Sequence, residues 1–132
     1  MSKIKEYMQR QIVQMQASLR TFDIPLFEDE IAEDEEEQLY QNDYHCFVYE
    51  TLDITNNDDL KSITQTVAIY YYSENRDDLD ERTVDIILSL KDVPGFSLNR
   101  TTKQRLQKKE TDQFVDRVIF EYNRRIVTGG KV

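Results

Sequence analysis

A single α+β domain, with an antiparallel sheet of about four strands and at least two helices packed against it, follows from three observations. Ile63 to Tyr72 and Gln113 to Val127 alternate apolar and polar positions with the two-residue period of a strand. Leu79 to Leu90 instead spaces its apolar side chains for one face of a helix. The chain has 132 residues, the commonest size for one domain and too short for two ordinary ones.

Ser2 to about Arg20 reads as the first helix, because Ile4, Met8, Ile12, Met15 and Leu19 recur every three or four residues. Thr21, Phe22, Asp23 and Pro25 end it, since proline disfavours helical geometry in the residue before it. Ile24 to Phe27 adds a short extended piece. The run 28–37 then holds eight acids in ten positions: Glu28, Asp29, Glu30, Glu33, Asp34, Glu35, Glu36 and Glu37. Like charges at that density repel, so the run is expected to be a solvated loop, with a negative wall facing a DNA passage as the sharper alternative. Calcium binding is disfavoured, because no glycine supplies the sharp turn of an EF-hand loop.

His45 to Leu52 reads as a strand, with Cys46, Val48 and Glu50 on one side and Phe47, Tyr49 and Thr51 on the other. Asn56, Asn57, Asp58 and Asp59 supply a turn, and Ile63 to Tyr72 is expected to return antiparallel. Ser73 to Asp78 is a polar linker with several candidate N-caps. Leu79, Val84, Ile87, Leu88 and Leu90 of the following helix are expected to cover the sheet. Pro94 and Gly95 stop that helix. Phe96 to Gln107 is assigned an extended strand despite weak alternation. In the last strand Phe114, Val118, Phe120, Tyr122 and Ile126 share one face, while Val115, Ile119 and Val127 lie on the other. The domain is expected to span residues 1–127, leaving 128–132 as a frayed tail.

Charge divides the chain. Residues 1–66 carry five Lys and Arg against fifteen Asp and Glu, whereas residues 100–132 carry nine against four. Such asymmetry suits head-to-tail contact between copies of one chain. It suits nucleic-acid binding poorly, because a phosphate backbone would meet a body of net charge −9. Arg100, Lys103, Arg105, Lys108 and Lys109 form a basic run, readable as a solvated hairpin or as the partner of a neighbour's acidic run. Tyr70 and Tyr72, on one side of a strand, suit a subunit interface, since tyrosine buries large area and keeps a polar tip.

Little in the composition suits an active site. There is one His, one Cys and no Trp, and two of the three glycines sit in the terminal tail. His45 and Cys46 are adjacent on a strand and point to opposite faces, so they make a poor nucleophile and base pair. Zinc needs more Cys and His ligands, and a phosphate loop needs more glycines. No catalytic, cofactor or metal residue is therefore assigned. A lone Cys46 and no stretch resembling a signal peptide or an apolar span lead to the expectation of a soluble protein from a reducing compartment.

The order of elements has a wider likeness. A leading helix, an acidic linker, the phrase His45-Cys46-Phe47-Val48-Tyr49-Glu50, the strand Ile63 to Tyr72, the helix Leu79 to Leu90, and a basic strand followed by an aromatic one ending in Phe120-Glu121-Tyr122-Asn123-Arg124-Arg125 together resemble the tail terminator, or tail-completion, proteins of long-tailed bacteriophages. The likeness covers nearly the whole chain through length, element order and texture. It implies a virion protein without enzymatic activity or cofactor, which assembles as a hexameric ring at the junction of tail and neck after synthesis in the host cytoplasm. The ring would cap the tail tube protein, stop its polymerisation and join a head-completion or connector protein. DNA would pass through its channel without sequence-specific binding, and no membrane would be involved. The acidic run and the hairpin near Arg100 to Lys109 would reach a ring face or the channel. Two other readings of the sequence are a different neck or head-completion subunit and an acidic DNA-mimic inhibitor; the basic hairpin argues against the mimic.

Overall fold

The computed structural model describes residues 2–30, 44–108 and 113–129. Two helices, α1 (Lys3–Arg20) and α2 (Leu79–Leu90), lie with five strands: β1 (Leu26–Glu28), β2 (Cys46–Asn56), β3 (Ser62–Ser73), β4 (Phe96–Gln107) and β5 (Phe114–Val127). The fold is α+β, and the strand order in the sheet is β1-β2-β3-β5-β4. The expectation of a purely antiparallel sheet of about four strands is corrected by β1, which pairs parallel with β2 through Leu26 opposite Phe47 and Glu28 opposite Tyr49. Residues 29–45 separate these two strands, more chain than the roughly dozen residues a parallel crossover needs. Glu28 therefore belongs to a strand rather than to an acidic loop, and the Asp29 amide continues the pairing by donating to the Tyr49 carbonyl at 2.8 Å.

Local chemistry accounts for the helix ends. The Ser2 hydroxyl accepts from the Lys5 amide at 3.1 Å and caps α1. At α2 the N-cap is Asp78, but its carboxylate makes no cap bond and instead takes both Arg76 nitrogens at 2.8 Å. Beyond α2 the chain turns through Pro94 into Gly95, whose φ of +73° lies in the left-handed region that glycine adopts without steric cost.

Both helices pack on one face of the sheet. Met15 and Leu19 of α1 and Ile86 and Leu90 of α2 meet Phe47, Tyr49, Val67, Ile69, Tyr71, Val118, Phe120 and Tyr122 in the main core. Each such side chain contributes roughly 1.5–3 kcal/mol through burial. Val118 and Phe120 are buried as the strand alternation predicts. The buried face of α2 differs from the expected one: Ile86 and Leu90 are fully buried, Ile87 and Leu79 partly, while Val84 and Leu88 face solvent. On α1 the buried line is Gln11, Met15 and Leu19, with Ile4 exposed. A second, smaller cluster of Tyr44, Cys46 and Val115 lies on the sheet's other face with Phe27 and Tyr72 beside it. Cys46 packs there, while His45 crosses to the opposite side and shares a 2.6 Å hydrogen bond with the Tyr71 hydroxyl.

Candidate assembly surfaces

Arg100, Lys103 and Arg105 of the basic run lie on β4, an edge strand exposed along nearly its whole length, and Lys108 follows just beyond its end. The run's described cations have partners within the chain. Arg100 pairs with Glu121 at 3.4 Å, Lys103 with Asp80 at 2.8 Å and Arg105 with Asp116 at 3.3 Å. Asp80 bonds the Lys103 ammonium and raises its pKa above the usual lysine value. Lys108 is buried, 2.8 Å from an equally buried Glu74 that also accepts the Tyr44 amide. Removing one member of such a buried pair leaves an uncompensated charge, so Lys108 belongs to the fold. Lys109 and the acids Glu33, Asp34, Glu35, Glu36 and Glu37 lie outside the described residues. Of the remaining acids, Glu28, Asp29 and Glu30 are exposed at the end of β1.

Tyr70 and Tyr72 stand side by side on the sheet face opposite the helices, both half-buried. The Tyr70 hydroxyl donates to Glu50 at 3.1 Å, and the Arg117 guanidinium lies over both rings, 5.8 and 6.0 Å from their centres. Burial first, then the neighbouring Glu50 carboxylate, raises the Tyr70 pKa. These tyrosines form an amphipathic patch.

The β2–β3 hairpin forms antiparallel as the sequence leads one to expect, but two features went unnoticed in the sequence. The first is the exposed outer half of that hairpin. Residues 51–56 of β2 are exposed beyond the core, and the apolar side chains Leu52, Ile54 and Leu60 are 43%, 52% and 84% exposed. Leu60 also holds φ at +57°, a conformation that costs a non-glycine residue about 1 kcal/mol or more. Its turn is tightly braced. Asn57 Nδ2 donates to Ser62 Oγ at 2.6 Å, Thr64 Oγ1 donates to Asn57 Oδ1 at 2.7 Å, and Asp59 accepts from the Lys61 amide at 2.9 Å and from Arg125 at 3.0 Å. Those contacts, the Lys61 amide foremost, hold the Asp59 carboxyl below its usual pKa. The Thr128 and Gly129 amides both donate to the Lys61 carbonyl, tying the start of the expected tail to the same turn.

The second feature is Arg124. It occupies the inward phase of β5 between Tyr122 and Ile126, and it is buried. Its Nε and Nη2 donate to Gln65 Oε1 at 3.0 and 2.7 Å, while Gln11 secures the junction by donating to the Pro94 and Arg125 carbonyls at 3.1 and 3.0 Å. A charged residue in an otherwise apolar alternation, together with Gln11 on the inward line of α1, was the signal available in the sequence. Comparison with known protein families and with curated proteins finds no match for this chain.

Proposed function

We propose that this chain is a structural subunit of a phage tail, a terminator that assembles as a hexameric ring on the tail tube, ends its polymerisation and joins the tail to the head connector. The observation that carries the assembly part is the projecting β2–β3 hairpin, where Leu52 and Ile54 on the strand and Leu60 on the braced turn are held in solvent. A folded monomer gains nothing from exposing a strained leucine, whereas a partner surface that covers it does. The edge strand β4 gives a further surface. Its one lysine and two arginines and its bulge at Leu98/Arg100 guard it against indiscriminate strand pairing, as exposed edges commonly require. The identity of the assembly as a tail terminator rests on the likeness of element order and texture, and the element order found in the fold is compatible with it.

In this reading the mechanism is steric. A ring covers the last tube layer with a surface that recruits no further tube subunit, and its opposite surface accepts the neck. Native mass spectrometry of the full chain, alone and with tail tubes, tests it. Six copies are expected; twelve copies would favour an adaptor next to the portal, and a persistent monomer would count against any ring.

A further inference from the structure

The hairpin tip and the outer flank of α1 carry complementary chemistry. An open groove of about 500 Å3 runs along α1, lined by Met8, Gln9, Ile12, Val13, Gln16 and Arg124. Val13 is 60% exposed on its rim, and Arg124, only 5% exposed, lies at its floor. Every hydrogen bond that Arg124 makes among the described residues goes to a neutral acceptor: Gln65, the Met8 carbonyl at 3.4 Å and, more weakly, Gln11 at 3.5 Å. No carboxylate pairs with it among the described residues, and burial lowers its pKa. The other buried cation among the described residues, Lys108, does have its acid. A guanidinium removed from water and not neutralised favours an incoming carboxylate, which here would meet the remaining Nη N–H groups because Nε and Nη2 already hold Gln65.

The hairpin tip offers that group beside an apolar one. Asp59 is engaged by its own turn, but Asp58 is exposed and makes no hydrogen bond or ion pair among the described residues. Leu60 stands two residues on, almost fully in solvent. We propose that the β2–β3 tip of one copy docks into the α1 groove of a second copy, with Leu60 against Met8, Ile12 and Val13 and the Asp58 carboxylate on the Arg124 guanidinium. This rests on the assembly reading above and deepens it by naming the contact. Tip and groove are different patches of one chain, so each copy both gives and receives, the head-to-tail arrangement from which closed rings are built. The bracing around Asn57 and Asp59 fixes the tip in advance and reduces the ordering lost on docking.

Two full-length chains test the contact, one carrying Leu60→Cys and one Val13→Cys, with the unsubstituted chain alongside to account for the buried Cys46. Mixed and mildly oxidised, they should yield 13–60 disulfides at least tenfold more often than 13–13 or 60–60 disulfides. Adding Asp58→Lys to the Leu60→Cys chain should lower that yield about tenfold. Higher-order assemblies in native mass spectra without preferential 13–60 linkage would overturn the docking while leaving assembly intact. Monomers at every concentration would overturn both, and an undiminished yield with Asp58→Lys would overturn the pairing to Arg124.

Discussion

Gly95 shows how much a single position can fix. A Cβ added there would lie 2.6 Å from Gln11 Nε2, 2.7 Å from the Arg125 carbonyl oxygen and 2.8 Å from the Tyr7 hydroxyl, so α1, the Pro94 turn and β5 close on one another only around a glycine. Its carbonyl in turn accepts the Arg125 amide at 2.9 Å. Tyr122 is the opposite case, a residue whose polar atom the core does not use. Its hydroxyl is buried without a hydrogen-bond partner among the described residues, and burial alone pushes its pKa up to about 12. An unsatisfied buried polar group costs about 1–3 kcal/mol, so Tyr122→Phe should raise stability at neutral pH by roughly 1 kcal/mol in urea unfolding. The same variant should alter the alkaline limb. A tyrosine whose folded pKa lies above its unfolded value near 10 contributes stability that is full below about pH 10 and is lost as pH rises toward the folded value. The phenylalanine variant should lose less stability between about pH 10 and 12, while Tyr49, Tyr70 and Tyr71, also raised chiefly by burial, keep part of that loss. Equal stability losses in the two proteins across that window would refute the assignment.

The elements differ in how openly the sequence declares them, and the reasons are physical. α2 begins and ends where the acids of its first turn and the Pro94–Gly95 turn place it, and β4 spans the run assigned to it despite weak alternation. β3 and β5 show their period because each is a central strand with one face buried under the helices. β1 was foreseen only as a short extended piece over Ile24 to Phe27, and its parallel pairing was hidden because it depends on distant β2. The inward line of α1 was misplaced because Gln11, polar by type, is buried by its bonds to Pro94 and Arg125. The hairpin was legible from its two runs and polar turn, but the exposure of its outer half was not: β2 continues past Leu52 to Asn56, and Leu52 and Ile54 give no sign in the sequence that they stand in solvent. The charged surfaces were read as free because in-chain partners such as Asp80 and Asp116 lie far from the basic run in sequence. The arm's rigidity has its own signature. With the folded pKa of Asp59 below its ordinary value, the stability it contributes is present above about pH 4 and is lost as pH falls through the lower folded value. Protection factors of the Lys61 and Ser62 amides should therefore fall below pH 4, and Asp59→Asn should show reduced protection already at pH 6 with little further change in acid. Protection that stays constant to pH 2 in the parent chain would show that the carboxylate does not brace the tip.

For the molecule as a whole, the features most in need of a partner are surfaces: a projecting arm, a groove with an unneutralised arginine, a tyrosine pair and a long edge strand. Their distribution on different sides of one sheet allows a subunit to contact two neighbours and still present a face to a third body, which is the requirement on a ring that ends one polymer and begins a junction. Termination of this kind depends on occupancy rather than chemistry. On the proposed terminator reading, loss of the protein from its phage should leave normal DNA-filled heads beside tail tubes of uncontrolled length, because the growing end would go uncovered. Replacing the protein with Leu60→Asp should give the same population in milder form, with lengths broadened rather than unbounded, since an acid at the arm tip weakens subunit contact without touching the core. His45→Ala, by contrast, should leave tail length unchanged. Electron micrographs settle the matter: tails of normal length already joined to heads in the deletion strain would overturn the terminator reading, and normal-length tails beside heads that leak DNA would move the protein one step along the neck to head completion.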